Sequence, residues 1–398
     1  MDFAETRSSA TSTRWAAVGH SIADGAWEAG VEATSAAVER GRPELLVLFS
    51  SNRHDRDELL AGIAERSGGA PLIGCSTAGE IAPTGPSEGS AVVLALGGEG
   101  YHACTASASA EDGPRGAGAL VAQRAAGARN RGSSEELLML LTDSLVGDQQ
   151  EIVRGAYGVV GAGVPLVGGC AGDDLKMSRT HQFEGGAAMT GSVVGASIGS
   201  DAPFGIGVRH GWTRVGEAMM VTQSSEGRVL TLDGRPALDT YLDLLDAPAD
   251  ARQDHEAFTR FALGHPIGLS RRSGPEQIRC IGKADFGERS IAAVAEVPQG
   301  GLAWLMEGDV DSAVAAAEEA CADAISQLGG LAPQALVAFD CTGRRRLLEE
   351  DGVKAEVAAI RAAAHGAPVA GFYTYGEIAR THGMSGFHNQ TIVVLALA

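Results

Sequence analysis

Three acidic residues at the ends of a repeated segment are the first candidates for chemistry in this chain. Residues 71–80 align without gaps with residues 368–377, and residues 165–174 fit both with one position fewer. A carboxylate at such a strand end could hold a ligand ammonium group, with exposed backbone N–H groups holding a ligand carboxylate. Alternatively, each acid accepts hydrogen bonds from its own turn and holds the loop in shape. The acids at the matching positions are Glu80, Asp173 and Glu377.

The last copy of the segment has the composition best suited to a small-molecule pocket. Glu377 is close in sequence to three aromatic residues, Phe372, Tyr373 and Tyr375. Aromatic side chains are common in the walls of small-ligand pockets, where a few polar groups fix the ligand's orientation. We therefore expect the ligand to contact this copy first, and the first two copies to act mainly as scaffold.

A cysteine followed by arginines offers a different kind of chemistry. Cys341 precedes Thr342, Gly343 and Arg344, and nearby arginines can lower a thiol pKa and make it reactive. Arg344 could instead bind a ligand carboxylate with its planar guanidinium. A buried, inert thiol is an equally good interpretation. A catalytic cysteine would need a positioned histidine, for which His388 is the candidate in the same copy, so a cysteine-dependent enzyme is the lesser alternative.

The ten histidines are dispersed and none has the spacing of a metal-binding pair. Haem needs one axial imidazole in an apolar slot, so composition leaves haem binding open. Structural histidines with satisfied hydrogen bonds are the favoured alternative for every candidate. The candidate haem ligands are His210, His265 and His388.

The elements that must position these residues form a repeated α/β pattern. Short apolar runs bounded by turns predict buried strands, and amphipathic stretches between them predict helices. Each copy has the order helix–strand–helix–strand–strand, and the third covers residues 310–398. We predict an α/β fold of mixed sheets flanked by helices, built from three related units. A segment of different character, residues 221–307, separates the second and third units.

Composition restricts the class of partner. The formal net charge of −19 over 398 residues disfavours nucleic acid and anionic membranes, which bind clustered Lys and Arg. No signal peptide is visible, and no apolar run approaches the roughly 20 residues that span a bilayer. The six cysteines show no Cys-x-x-Cys spacing. We expect a cytoplasmic protein with reduced thiols, without a structural metal or membrane insertion.

Taken together, the motifs resemble those of the FIST family of bacterial signal-transduction sensors. The resemblance divides the chain into an N-terminal arm with the start of the first helix (1–29), a FIST N-like domain (30–225) and a FIST C-like domain (226–398). It covers most of the chain, and its motifs are specific in combination. These motifs are residues 74–80, 167–174, 232–237, 341–344, 371–378 and 387–391.

The resemblance implies a cytoplasmic sensory protein that binds small, amino-acid-like ligands. Some proteins of the family are haem-binding nitric-oxide sensors that regulate a separate histidine kinase, which is the alternative. No transmitter segment is visible in the sequence, so we expect signalling through a partner chain. The ligand should lie between the N- and C-terminal parts and shift their arrangement. The expected ligand-binding residues are Glu377, Tyr375, Cys341, Arg344, Asn389, Asp173 and Glu80.

Overall fold

The computed structural model describes residues 14–111, 113–126, 133–225, 227–271, 276–380 and 386–398. Within these residues, eight helices flank several mixed sheets, which confirms the predicted α/β class. None of the helices in this part of the chain is both long and apolar enough to cross a membrane.

The first third of the chain alternates strands with helices and then adds a hairpin and a return strand. The strands β3 and β6 are buried along their whole length and β2 is buried from Leu45 onward, as expected for a sheet covered on both faces. Residues 15–21, within the segment expected to be an arm and a helix start, form an edge strand. The elements are β1 (Trp15–Ser21), α1 (Ala26–Ala37), β2 (Pro43–Ser51), α2 (Arg56–Arg66), β3 (Leu72–Thr77), β4 (Glu80–Ala82), β5 (Gly85–Ser87) and β6 (Ala91–Gly97).

The second third repeats this order of elements. A longer loop, residues 171–181, separates its second parallel strand from its hairpin. The elements are β7 (Tyr101–Ser109), α3 (Pro114–Ala125), β8 (Glu135–Thr142), α4 (Gln149–Val160), β9 (Leu166–Cys170), β10 (Gln182–Glu184), β11 (Ala187–Met189) and β12 (Ser192–Ser200).

The last third has the same order again but carries a second sheet inserted after its first strand. This first strand is β13 (Phe204–Arg209), and the order resumes with α7 (Val310–Ser326), β22 (Ala335–Cys341) and α8 (Thr342–Ala363). The remaining elements of the unit are β23 (Val369–Thr374), β24 (Glu377–Arg380), β25 (Phe387–His388) and β26 (Ile392–Leu397).

The inserted segment, residues 213–307, forms an eight-stranded sheet with two helices and its own apolar core. We call it the inserted domain. Its elements are β14 (Thr213–Ser225), β15 (Arg228–Leu232), β16 (Arg235–Pro236), α5 (Ala237–Leu244), α6 (His255–Leu263), β17 (Ile267–Leu269), β18 (Gln277–Arg279), β19 (Ile281–Asp285), β20 (Ser290–Ala293) and β21 (Leu302–Glu307).

Each of the three other sheets is completed by a hairpin from a different third of the chain. The strand orders are β1-β6-β2-β3-β10-β11, β7-β12-β8-β9-β24-β25 and β13-β26-β22-β23-β4-β5. In each sheet the central pair is parallel, and the flanking strands run antiparallel to it. The first third therefore donates its hairpin to the third, the third to the second, and the second to the first. Because of this cyclic exchange, no third of the chain completes its own sheet.

The three sheets enclose one common apolar core. Phe49, Phe339 and Phe372 meet there, with ring centroids 4.9–6.1 Å apart. Outside the sheets, helices approach one another at glycines. A Cβ atom added to Gly30 of α1 would lie 2.4 Å from the Leu59 carbonyl oxygen of α2. The abundance of glycine thus allows the tight helix contacts that hold the outer layer to the core.

Candidate functional site

The first residue of each exchanged hairpin occupies one equivalent, buried position. Glu80 of β4 pairs with Phe372, Gln182 of β10 with Cys75, and Glu377 of β24 with Gly169. The sequence alignment had placed Asp173 at the position that Gln182 occupies. The prediction for Asp173 was wrong because the alignment followed a glycine–acid pair. The longer loop of the second third, residues 171–181, shifts its hairpin along the chain.

Glu80 and Glu377 tie each hairpin to the strand that follows it. Glu80 accepts hydrogen bonds from Thr77 Oγ1 and from the backbone N–H and hydroxyl of Ser90, at 3.0 and 2.6 Å. Glu377 Oε2 likewise accepts from the backbone N–H and hydroxyl of Thr391, at 3.1 and 2.6 Å. Burial raises the pKa of Glu80 to about 7 and that of Glu377 to about 8. Both contacts hold the loop, and neither residue lines the cavities described below.

Asp173 and Tyr375 form a latch between the N- and C-terminal parts. The Tyr375 hydroxyl donates to Asp173 Oδ1 at 2.6 Å and accepts the Leu175 N–H at 2.6 Å. The Asp173 carboxylate also accepts the N–H groups of Met177 and Ser178, at 2.9 and 2.7 Å. Burial acts to raise the pKa of Asp173, but these hydrogen bonds outweigh it and lower the pKa below its usual value.

The loop held by this latch has a strained backbone. Asp174, Leu175 and Met177 have positive φ angles of 56°, 61° and 50°. Non-glycine residues rarely adopt these angles, and several in one loop persist only where surrounding contacts enforce them. We call residues 173–179 the latched loop.

The structure places Arg344 in the interior, where protein acceptors engage its guanidinium. It donates to Asp340 Oδ1 at 2.8 Å, to Glu356, and to the carbonyl oxygens of His210 and Ala313 at 2.8 and 3.0 Å. Burial alone would lower its pKa, but the two carboxylates raise the pKa above the usual arginine value. Arg344 thus connects α8 to β22 and α7 and to His210, in the segment that leads into the inserted domain.

Cys341 and Asn389 are both buried, and Cys341 lies beside Glu377. Burial, followed by the nearby acid, raises the pKa of Cys341 well above its usual value, the direction opposite to activation. His388 uses Nε2 to contact the Ala379 carbonyl oxygen at 2.9 Å, and burial lowers its pKa to about 4. In this geometry the thiol is not prepared for nucleophilic attack.

The three candidate haem ligands are engaged in local contacts. His210 Nδ1 accepts the Trp212 N–H at 3.0 Å, and His265 Nδ1 donates to the Phe261 carbonyl oxygen at 2.7 Å. His388 contacts the backbone as described above. None of the three lines either cavity described below, so these residues present no axial imidazole to a haem there. Among the described residues, no group of three or more His, Cys, Asp or Glu side chains is placed to hold a metal ion.

A cavity of about 630 Å³ lies where the N-terminal part, the third unit and the inserted domain meet. We call it the α4 cavity, because the turn between β8 and α4 forms one wall. The latched loop, the inserted domain and two aromatic residues of the third unit form the others. Its lining residues are Ser144, Gly147, Asp148, Gln149, Cys170, Met177, Val294, Ala295, Glu296, Tyr375 and Phe387.

The charged side chains that line the α4 cavity are acidic, with Arg154 of α4 lying 4.0 Å from Glu296, and the mouth of the cavity is apolar. Asp148 and Glu296 line it, whereas none of its described lining residues is a lysine or an arginine. Met177 and Val294 are 60% and 54% exposed at the same cavity. The Ser144 hydroxyl oxygen is buried without a hydrogen-bond partner. The cavity can therefore offer an acid to an ammonium group and an apolar surface to the rest of the ligand.

Of the residues expected to bind ligand, Tyr375 lines this cavity, and Asp173 supports it through the latch. Sequence reasoning missed Ser144, Asp148, Met177 and Glu296. One signal was available for Asp148: an aspartate directly before a helix is a typical N-cap, and it accepts the Gln150 N–H at 2.8 Å. Nothing local in the sequence indicates that Glu296, from the inserted domain, reaches the same place.

A second cavity, of about 530 Å³, lies beside the start of α8 and is called the α8 cavity. It has contributions from the hairpin of the first third, the latched loop and α8. Its lining residues are Pro86, Ser87, Glu88, Leu175, Thr342, Arg345, Arg346, Glu349, Glu350, Val353 and Lys354.

Two domain models identify the class of protein to which this α/β fold belongs. The FIST N domain model matches residues 44–235, and the FIST C domain model matches residues 237–380, which together cover most of the chain. The chain therefore belongs to the FIST family, as the motifs predicted. FIST domains are associated with signal-transduction sensing of small ligands.

Two relatives match nearly the full length of the chain. Uncharacterized proteins of Mycobacterium tuberculosis strains CDC 1551 and H37Rv are each 28% identical over 399 residues, covering 94% of this chain and 97% of theirs. An uncharacterized protein of Methanocaldococcus jannaschii is 24% identical over 159 residues, and the chain spans 31% of its length. The structure of PurLQS from Thermotoga maritima aligns with 96% of this chain and 73% of its own, at 10% identity and a TM-score of 0.21. That TM-score is too low to relate the two folds.

Proposed function

We propose that this protein senses an amino-acid-like ligand in the α4 cavity and signals through a separate partner chain in the cytoplasm. One observation carries the proposal: a single cavity joins Cys170 of a FIST N motif, Tyr375 of a FIST C motif and Glu296 of the inserted domain. A ligand that contacts all three parts can favour one arrangement of them over another.

The chemistry of the cavity suits a molecule with an ammonium group and an apolar side chain. Asp148 and Glu296 supply negative charge for the ammonium group. Asp148 also caps the first turn of α4 by accepting the Gln150 N–H at 2.8 Å, which holds its carboxylate at the cavity wall. Met177, Val294 and Phe387 provide apolar surface for the remainder of the ligand.

The proposal is for binding rather than catalysis. Burial raises the pKa of the cavity thiol, Cys170, to about 12, and its sulfur already contacts Thr142 and Gln149 at 3.2 and 3.5 Å. A neutral thiol held in this way is a packing group and not a nucleophile.

Isothermal titration calorimetry with a panel of L-amino acids, each compared with its N-acetyl derivative, tests the proposal. We expect at least one amino acid to bind and its acetylated form to fail. Glu296→Gln should weaken binding about tenfold, corresponding to ~1.4 kcal/mol. Glu288→Gln is a matched control, because Glu288 is similarly exposed, with its side chain 61% accessible against 59% for Glu296.

Two results would overturn the proposal. One is that no amino acid binds, or that the affinity of the amino acid that binds is unchanged in both Glu296→Gln and Tyr375→Phe. Either result would show that the α4 cavity is not the binding site. The other is a Soret band that develops on adding haem and disappears on replacing one histidine, since this would indicate haem-based sensing instead.

A further inference from the structure

The α8 cavity lies at the place in the third unit that the α4 cavity occupies in the second. The α4 cavity is at the end of β8 and the start of α4, beside Phe387 of the exchanged hairpin β24–β25. The α8 cavity is at the end of β22 and the start of α8, beside Pro86 of the exchanged hairpin β4–β5. The shared topology therefore produces two cavities of similar size, and their linings differ in charge.

Four of the six charged side chains at the α8 cavity pair with one another. Arg345 donates to Glu88 and, at 2.6 Å, to the Ala78 carbonyl oxygen, while Lys354 pairs with Glu350 at 2.6 Å. The Arg345 guanidinium also lies 4.9 Å from the centre of the Tyr373 ring, which fixes its position. The charges of these two ion pairs cancel.

The other two charges, Arg346 and Glu349, have no ion pair or hydrogen bond with any side chain among the described residues. They have opposite signs and line the same cavity. Arg346 and Glu349 are three positions apart, a spacing at which charged side chains on a regular helix can pair. They do not pair because the backbone leaves the helical path at Glu349.

The interruption is at Glu349 itself, whose φ and ψ are 53° and −169°. This conformation is almost confined to glycine, and for another residue it costs about 1–3 kcal/mol. It redirects the chain within α8, so Glu349 does not follow the helical path of its neighbours. Arg346 and Glu349 are both exposed to solvent, so water hydrates their charges in the free protein. The strained backbone of Glu349 at the edge of the cavity is the feature that ligand contacts would explain.

We propose that the α8 cavity is a second binding site, specific for a small zwitterion. The Arg346 guanidinium takes the carboxylate of the ligand, and the Glu349 carboxylate takes its ammonium group. Val353 and Leu175 supply apolar surface in the same cavity. This site stands independently of the one proposed at the α4 cavity, because the two share no lining residue.

The latched loop connects the two cavities. Leu175 lines the α8 cavity and Met177, two residues away, lines the α4 cavity. Tyr375 and Asp173 fix the loop between them. Ligand in the α8 cavity that moves Leu175 is therefore expected to change the affinity of the α4 cavity, and the reverse by linkage.

The second site is measured by isothermal titration calorimetry on the Ala295→Trp variant. The larger side chain fills the α4 cavity, so that ligand can bind only at the α8 cavity. The probes are L-α-amino acids, compared with their N-acetyl and amide derivatives. We expect one amino acid to bind with a stoichiometry of one, and Arg346→Gln and Glu349→Gln each to weaken it about tenfold, equivalent to ~1.4 kcal/mol. Arg260→Gln and Glu256→Gln on α6 are matched controls, since they pair with each other at 3.5 Å away from both cavities.

Glu349→Gly separates ligand binding from folding. Glycine tolerates the backbone conformation, so this variant should have a Tm equal to or above that of the parent while losing binding as Glu349→Gln does. Unchanged affinity in both Arg346→Gln and Glu349→Gly, or equal binding of the N-acetyl derivative, would overturn the second site. Binding that occurs with an open α4 cavity and is abolished by Ala295→Trp would also overturn the second site, because it would place the ligand in the α4 cavity.

Discussion

Replacing Glu377 by glutamine should remove a pH dependence of folding stability that the buried carboxyl creates. The second third of the chain already has glutamine at the equivalent position, where Gln182 accepts the Ser192 N–H at 3.3 Å. Glutamine therefore fits the site and can keep the contact to the following strand. Glu377→Gln should fold normally, and its effect on stability should depend on pH.

The sign and size of the effect follow from the pKa of Glu377, which burial raises from 4.5 to about 8. The folded state retains its proton to a higher pH than the unfolded state does. The stabilising contribution is thus complete below pH 4.5 and is lost as the pH rises to about 8. The loss is ~1.4 kcal/mol per pH unit, or about 5 kcal/mol over the whole interval as an upper bound.

Urea unfolding of wild type and Glu377→Gln at a series of pH values between about 5 and about 9 measures this directly. We expect the variant to gain stability relative to wild type as pH rises. Glu80→Gln should show a smaller gain that ends near pH 7, because burial raises the Glu80 pKa to about 7. Gln182→Glu is the reverse control and should introduce a new loss of stability at high pH.

Parallel stability profiles of wild type and Glu377→Gln would refute this reasoning. They would mean that Glu377 is ionised in the folded protein and balanced by a cation, which the contacts of its two oxygens do not show. Equal profiles for Gln182→Glu and wild type would show that the three hairpin positions are not equivalent in environment.

Two further predictions concern the buried arginine and the latched loop. Arg344→Met should lower the free energy of unfolding, measured with urea, by about 3–5 kcal/mol, since it leaves Asp340 and Glu356 buried without their cation. Adding Asp340→Asn and Glu356→Gln should recover most of this loss, and an absence of recovery would contradict the role of charge. Asp173→Ala should change the free energy of unfolding by less than about 1 kcal/mol but increase hydrogen exchange in the latched loop, because its backbone N–H groups lose their acceptor. Unchanged exchange would show that Tyr375 alone holds the loop.

The sequence by itself determined the class of fold and the repeated strand ends. Continuous apolar residues predict buried strands such as Leu45–Phe49. An acid after a glycine marks the start of the hairpin in the first and third units. These signals are local, because a strand or turn depends mostly on residues within one element. The family followed from motifs in a fixed order and needed no geometry.

The tertiary structure decided which residues share a site. The strands β10 and β3 are far apart in the chain, and their pairing identifies Gln182 as the equivalent of Glu80 and Glu377. The sequence alignment instead predicts Asp173 at this position. The burial of Arg344 between Asp340 and Glu356 likewise depends on α7 and α8 packing together.

The cavities depend on still longer-range contacts. Glu296 of the inserted domain meets Tyr375 of the third unit and Asp148 of the second only because the hairpins exchange between sheets. Sequence periodicity records which face of an element is buried, but it does not record which distant element covers that face. The exchange of hairpins therefore brings Tyr375 and Phe387 to the α4 cavity and Glu88 to the α8 cavity.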